Sequence, residues 1–240
     1  MQSLNIKQID MKKIFSAECH EFHDRLAAKV EAVAKREKKN KMLTRIPEEY
    51  RAGFDSFECP SPHHSLVLES VKKAFADFSN GECVFLCLLG SFGVGKTKLS
   101  CSFAFEAVER TTQKISVCGY EDERITSIRY ALVSEICEEY DRARSFSSAE
   151  SQTEVIEKYC NADIVILDEI GRTKFFDTEK EIIYRIVNAR EREKKTTILV
   201  SNLNFLEFGA YVGGAVVDRL KSFGRFPSFF GVPSWRGRKC

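Results

Sequence analysis

The apolar residues near the start of the chain follow the period of a helix. They recur at intervals of three and four residues, which places them on one helical face: Phe15, Cys19, Phe22, Leu26, Val30 and Val33. We predict one amphipathic helix from Met11 to Val33, followed by a charged segment, 35–41, that is typical of a solvated helix end or a linker. Prolines and glycines then punctuate the chain and mark a boundary. The expected organisation is a small helical N-terminal segment over 1–45 and a main domain over 46–240.

Beyond this boundary the pattern alternates between strands and helices. Short continuous apolar runs predict buried strands, and segments with three- and four-residue spacing predict helices between them. The predicted strands are 82–90, 114–120, 163–171, 196–202 and 226–235, and the predicted helices are 98–110, 125–140, 177–195 and 213–223. Buried strands separated by helices are typical of a parallel sheet covered on both faces. The expected fold class is therefore α/β.

The composition is that of a folded globular protein. Hydrophobic residues make up 43% and charged residues 30% of the 240 residues. Because no apolar run of about eighteen residues and no apolar leader is present, we expect a cytoplasmic protein without a membrane contact. The net charge of +2 gives the chain as a whole no strong field for nucleic acid. The charge is uneven, and the segment from Leu220 to Cys240 has five basic residues and no acidic ones.

The nine cysteines are odd in number, irregularly spaced and partly inside apolar runs. We therefore expect most of them to be reduced residues of the core rather than disulfide partners. Cys19, His20 and His23 could supply three metal ligands within one helical turn, but no second group of ligands follows, so metal binding there stays open. His63 and His64 follow two prolines, and we expect them in a solvated loop.

The strongest chemical signal is a glycine-rich loop between the first predicted strand and the next helix. Its residues fit the pattern G-x-x-x-x-G-K-[S/T]: Gly90, Ser91, Phe92, Gly93, Val94, Gly95, Lys96 and Thr97. Glycines let the backbone turn so that its N–H groups and the start of the helix converge on phosphate oxygens. Lys96 adds a positive charge for the β- and γ-phosphates, and Thr97 offers its hydroxyl to Mg²⁺. The loop predicts the binding of ATP with Mg²⁺.

Two acidic residues, Asp168 and Glu169, come at the end of a buried strand. Since the carboxyl ends of parallel strands meet at one edge of a sheet, both should lie beside the phosphate loop. Asp168 would hold the Mg²⁺ shell, and Glu169 would orient and deprotonate the attacking water. Asn202, which ends the following strand, could reach the γ-phosphate or the lytic water. Because a small-molecule kinase does not need such a glutamate, hydrolysis is favoured over a kinase reaction with an acceptor.

Five motifs in this order resemble the AAA+ ATPases of the DnaC-type helicase loaders and their relatives, the IstB-type transposition helpers. They are GSFGVGKT, VILDEIG, TTILVSN, VVDRL and a terminal SWR, spread over residues 46–238. The resemblance implies a three-layer AAA+ P-loop NTPase fold. It also implies that Asn202 is a sensor residue, that Arg219 is an arginine finger reaching the ATP of a neighbouring subunit, and that Arg236 is a further nucleotide or interface contact. Self-assembly follows from the finger, because the ATP site is complete only with a second subunit.

The resemblance leaves two roles open. A loader would bind a hexameric replicative helicase through the N-terminal helix and place it on single-stranded DNA, although the apolar stripe could equally pack on its own domain. A transposition helper would bind duplex DNA and a transposase, and should have a more basic N-terminal region than residues 1–60, which hold twelve basic and ten acidic side chains. We therefore favour the loader. Segment 122–144, where loaders contact DNA, has four arginines among many acids, so the basic C-terminus is the better candidate for the DNA contact.

Overall fold

The computed structural model describes residues 11–117, 120–145, 149–232 and 234, and it divides the chain into two units, up to Asn40 and from Lys41 onward. The helix α1 spans Met11–Leu43 and ends ten residues beyond the predicted end at Val33. Its last residues belong to the second unit, where Met42 and Leu43 pack against the core.

The second unit contains seven further helices and seven strands among the residues that the structure describes. In chain order they are α2 (Pro62–Ser79), β1 (Phe85–Leu89), α3 (Lys96–Arg110), β2 (Thr112–Val117), β3 (Tyr120–Ile125), β4 (Ile128–Leu132), α4 (Val133–Arg142), α5 (Gln152–Cys160), β5 (Ile164–Ile170), α6 (Phe176–Arg192), β6 (Thr196–Ser201), α7 (Phe205–Val212), α8 (Gly214–Phe223) and β7 (Gly224–Arg225). Two single 3-10 turns, Glu48–Tyr50 and Phe54–Ser56, precede α2.

Five of the strands form one parallel sheet in the order β4-β5-β6-β1-β7. Every residue of β1 and β6 is buried, as expected for strands covered on both faces. Successive residues of β1 alternate between two core clusters: Leu86 and Leu88 face the cluster that includes α2 and α3, while Phe85 and Cys87 face the one that includes α4, α5 and α6. The predicted three-layer α/β architecture with a parallel central sheet is confirmed.

The predicted helix 125–140 is wrong in its first half. Residues Ile128–Leu132 form β4, an edge strand that pairs in parallel with β5, and the helix begins only at Val133. The apolar residues of this segment recur at helical spacing, but Ile128 and Ala131 are buried as members of a strand. A strand of five residues is too short for its own period to be distinguished from a helical one.

Two other predicted strands take different places. The segment 114–120 was expected in the parallel sheet, but β2 pairs antiparallel with β3 in a separate two-stranded sheet, with residues 118 and 119 outside the described part of the chain. The last strand is expected over 226–235, but the structure has the two-residue β7 just before this stretch. In the described part of the stretch, an isolated bridge joins Ser228 to Leu89. Pattern alone could not separate an antiparallel hairpin from a strand of the main sheet.

His63 and His64 do not lie in a loop, because α2 begins at Pro62. His64 is fully buried, and its Nδ1 lies 2.8 Å from the hydroxyl of Ser61, the residue before the helix. His63 is exposed on the same turn. The proline at the first helical position signals a helix start rather than a loop.

The cysteines whose side chains are described are free, and Cys87, Cys101, Cys137 and Cys160 are buried, which confirms the expectation of core thiols. The described residues include no group of three or more potential metal ligands, and the side chains of Cys19, His20 and His23 lie outside them. In the part of the chain that the structure covers, every helix is too short or too polar to cross a membrane.

The side chain of Arg190 is fully buried at the start of the sheet. It donates to the hydroxyl of Thr197 and to five backbone carbonyl oxygens at 2.6–3.0 Å: those of Tyr159, Cys160, Ala162, Asp163 and Thr196. Burial lowers the pKa of the guanidinium to about 10, so the side chain stays charged at neutral pH. These bonds join the end of α5 to the starts of β5 and β6.

Replacing Arg190 by methionine should lower the free energy of unfolding by about 3 kcal/mol, because several buried carbonyl oxygens would lose their donor. Urea denaturation followed by circular dichroism measures the change. The matched control is Arg185→Met on the same helix, since Arg185 has an exposed side chain and pairs with Glu181. Equal losses for the two variants would contradict a special role of Arg190.

Candidate nucleotide-binding site

The glycine-rich loop joins β1 to α3 and turns through three residues with positive φ. The φ angles are 137° at Gly90, 73° at Gly93 and 90° at Gly95, a region that favours glycine. At Gly90 a Cβ atom would also lie 2.9 Å from the Cβ of Phe229. The loop ends where α3 begins, so the free N–H groups of the first helical turn adjoin it, as in a phosphate-binding loop.

The ammonium group of Lys96 points back into this loop. It donates to the carbonyl oxygens of Gly90 (2.8 Å) and Ser91 (2.6 Å) and to Oδ1 of Asn202 (2.9 Å). Lys96 is only 6% exposed, and burial lowers its pKa to about 8 while the charge of Asp168 acts in the opposite direction. Asn202 follows β6, which neighbours β1, so the sheet brings together the two residues that the sequence had separated by about a hundred positions.

The carboxylate of Asp168 is 2% exposed and accepts three hydrogen bonds. Its Oδ2 accepts from the hydroxyls of Thr97 (2.8 Å) and Tyr130 (3.0 Å), and its Oδ1 accepts from the backbone N–H of Glu169 (2.7 Å). Desolvation raises the pKa of Asp168, and these donors partly offset it. A hydroxyl and a carboxylate side by side are the hard oxygen ligands that Mg²⁺ prefers, so the residues fit the expected ion.

Glu169 lies at a bulge in β5. Leu167 is level with Leu199 of β6, but Ile170 is level with Ser201, so β5 carries one extra residue there. Glu169 itself has a φ of 59°, and its Oε1 accepts from Nη1 of Arg172 at 2.5 Å. Bulges next to active sites re-aim side chains, and this one turns Asp168 inward and leaves Glu169 partly exposed.

These residues line a cavity of about 280 Å³. Beside the loop and the two acids, its walls include residues that the sequence had not identified: Tyr50, Phe57, Lys98, Arg172 and Val200. Tyr130, whose hydroxyl contacts Asp168, is also not identified from the sequence, because the apolar spacing of its segment predicts a helix. A mixed aromatic, apolar and charged lining suits a ligand that has both a ring system and a charged part.

Arg219 lies away from this cavity and is held within its own protomer. Nε and Nη2 donate to Oδ1 of Asn188 at 3.1 and 2.8 Å, and Nε lies 3.0 Å from Oε2 of Glu191. The guanidinium also lies 5.5 Å from the ring centroid of Tyr184. Arg236 lies outside the described residues.

The four arginines of segment 122–144, the segment where loaders contact DNA, have partners inside the domain. Arg124 forms an ion pair with Asp163. Arg129 lies over the ring of Tyr159, and the other two bond to neighbours in or after α4: Arg142 to the Glu138 carbonyl and Arg144 to Asp141. In the basic C-terminal segment, Arg225 pairs with Asp77. These contacts reduce the charge that is available for phosphate groups.

The parallel sheet, the glycine-rich loop with Lys96 and the Thr97–Asp168 pair define a P-loop NTPase of the AAA+ type. Residues 22–221 match the family of IstB-like ATP-binding proteins, and the chain belongs to this family. The description of this family names ATP binding as its common property.

Relatives come from both mobile elements and replication. The chain is 29% identical over 178 residues to an ATP-binding protein of insertion sequence IS5376 from Geobacillus stearothermophilus, covering 73% of this chain and 61% of that protein. It is 24% identical over 194 residues to the replicative helicase loader DnaC of Escherichia coli, covering 80% of this chain and 72% of the loader. The crystal structure of the DnaC helicase loader superimposes with a TM-score of 0.60 at 18% identity, over 76% of this chain and 99% of that one, which shows a common fold.

The low pKa of Lys96 predicts that nucleotide affinity depends on pH. Phosphate groups favour the charged ammonium, and a pKa of about 8 means that the free protein loses this charge as the pH rises. Affinity for ATP should therefore fall above pH 8, by up to about tenfold per pH unit. Titration of a fluorescent ATP analogue between pH 7 and 9.5 measures it. Lys96→Met should bind weakly at every pH, and a slope retained in this variant would contradict the assignment.

Proposed function

We propose that the protein binds ATP with Mg²⁺ and hydrolyses it to ADP and phosphate. The observation that carries this proposal is the pair of contacts at the end of the sheet, Lys96 with Asn202 and Thr97 with Asp168, which join the phosphate loop to β5 and β6. Each of the four side chains is of a type that phosphate or Mg²⁺ requires. The family supports ATP binding, and hydrolysis is the finer step that the proposal adds.

Different residues bind the phosphates, hold the metal ion and activate the water molecule. The loop N–H groups and Lys96 bind the β- and γ-phosphates, with Lys96 exchanging its loop carbonyls for phosphate oxygens. Thr97 and Asp168 would hold Mg²⁺, and the bound ion would neutralise phosphate charge. Glu169 orients a water molecule and accepts its proton at the carboxylate, and the amide of Asn202 contacts the γ-phosphate or that water.

Glu169→Gln should abolish hydrolysis and leave binding intact. The amide keeps the shape of the side chain but cannot accept a proton, so turnover should fall at least about a hundredfold. Phosphate release measures turnover, and a fluorescent ATP analogue measures affinity in parallel. Because no acceptor is added, turnover by the wild type also distinguishes an ATPase from a P-loop kinase. An unchanged rate in Glu169→Gln would refute the role of this carboxylate.

Arg219 extends this proposal to an assembly. An arginine that completes the ATP site of a neighbouring subunit must leave its contacts with Asn188 and Glu191, so turnover should rise with protein concentration. In the same assay, Arg219→Ala should remove this rise. Asn188→Ala is the matched control, since it loosens the guanidinium without removing it. Arg236 is proposed as a further contact with the nucleotide or between subunits.

For the biological role we favour loading of a hexameric replicative helicase onto DNA. Among the described side chains of α1, Leu26, Val30 and Val33 are exposed apolar residues at helical spacing that a partner could cover, and the charges of residues 1–60 nearly balance. The second candidate is a transposition helper that acts on duplex DNA with a transposase. It is supported by the similarity to the IS5376 protein, of which the chain spans 61%. Single-stranded DNA is the proposed nucleic acid, contacted through the basic residues 220–240.

Co-elution with the host's replicative helicase in Mg²⁺-ATP separates the two roles. The full chain should form a complex with the hexamer, and a variant lacking residues 1–40 should not. This truncation keeps Met42, Leu43 and Ile46, which pack on the core, and so should leave nucleotide binding unchanged as a control. A complex that survives truncation would assign docking elsewhere. Absence of a complex together with binding of duplex DNA would favour the transposition helper.

A further inference from the structure

An exposed phenylalanine lies in the phosphate loop. Phe92 is 53% exposed and lines the nucleotide cavity, although an apolar ring has no affinity for phosphate. The guanidinium of Arg172 lies over this ring, 5.2 Å from its centroid, within the range of a cation–π contact. The ring therefore provides a platform for a cation at the cavity wall.

The same guanidinium also binds the carboxylate of Glu169. Nη1 of Arg172 lies 2.5 Å from Oε1, and the two side chains are 47% and 39% exposed. Arg172 thus contacts two parts of the site at once: the phosphate loop through Phe92 and the strand end through Glu169. An oxygen that accepts from a guanidinium is less free to accept a proton from water.

The loop that carries Arg172 is held firmly in place. The fully buried carboxylate of Glu179 accepts from the N–H of Gly171 (2.7 Å), the hydroxyl of Thr173 (2.6 Å) and the hydroxyl of Tyr211 (2.9 Å). Gly171 has a φ of 86°, and a Cβ there would lie 2.8 Å from Leu203. Arg172 therefore projects from a fixed backbone towards the cavity, in contrast to an ordinary surface arginine.

We infer that Arg172 is a positioning residue that restrains Glu169 in a resting orientation and couples it, through Phe92, to the phosphate loop. The inference rests on the proposed hydrolysis of ATP. Because both partners are partly exposed, the restraint is weak and exchanges readily when the loop binds phosphate. This ion pair limits the basal rate, and Arg172 itself takes no part in the chemical step.

The test compares single-turnover hydrolysis with the affinity for a fluorescent ATP analogue in full-length variants. Arg172→Ala should hydrolyse ATP about threefold faster, since an exposed ion pair shifts an equilibrium by no more than about fivefold. Its affinity should stay within about twofold of the wild type, because the loop and Lys96 supply most of the binding. Arg172→Lys keeps the charge but loses the flat stacking surface, so its hydrolysis rate should lie between those of the wild type and Arg172→Ala. Phe92→Leu should also hydrolyse faster.

The control is Lys174→Ala, which removes a positive charge from the same loop. The ammonium of Lys174 lies over a different ring, that of Phe175, 5.3 Å from its centroid. It should match the wild type in both assays. If Arg172→Ala hydrolyses ATP at the wild-type rate, the inference is overturned and the proposed function stands. If Arg172→Ala is slower at unchanged affinity, the inference is also overturned, because Arg172 would then assist the reaction. Failure of the wild type to bind the analogue would overturn both proposals.

Discussion

The buried side chain of Arg190 joins the starts of two inner strands at the end of the sheet opposite the nucleotide site. Arg190 binds the carbonyl oxygen of Asp163, just before β5, and that of Thr196, the first residue of β6. Because strands pair residue by residue, these bonds favour the register in which Ile164 lies level with Thr196, and β5 and β6 run from there to the opposite end of the sheet. That end carries Asp168 and Asn202, the acid and the amide of the nucleotide site. The chemistry at one end of the sheet therefore depends on a charge buried at the other.

Between these ends, one extra residue in β5 separates two carboxylates that are adjacent in sequence. Asp168 turns towards α3 and is almost fully enclosed, whereas Glu169 turns towards Arg172 and stays partly exposed. The hydroxyl of Ser201 donates to the carbonyl oxygen of Ile170 at 2.7 Å and stabilises the strand just beyond the bulge. Two residues with the same chemistry thus acquire different environments, one suited to holding a cation and the other to exchanging a proton.

The sequence predicted the parts of the site whose signal is local. The glycine-rich loop with Lys96, the acids that end β5 and the amide of Asn202 each follow an apolar strand, and the parallel sheet brings them together as expected. Tyr130 and Arg172 were missed for physical reasons: the first lies in a five-residue strand with the apolar spacing of a helix, and the second acts through geometry that spacing does not encode. The role of Arg190 could not be predicted either, because most of its partners are backbone carbonyl groups, which no pattern of side chains marks.

Tyr130 gives an outermost strand of the sheet a direct contact with Asp168, the carboxylate proposed to hold Mg²⁺. Among the described strands, β4 pairs with β5 alone, and it leads without a loop into α4. An edge strand has hydrogen-bonded neighbours on one side only, so it is held less firmly than an inner strand. The phenolic hydroxyl of Tyr130 links this strand to Asp168, and without it the carboxylate would keep two of its three donors, the hydroxyl of Thr97 and the N–H of Glu169. A strand at the periphery of the domain therefore helps to set the electrostatic environment of a carboxylate at its centre.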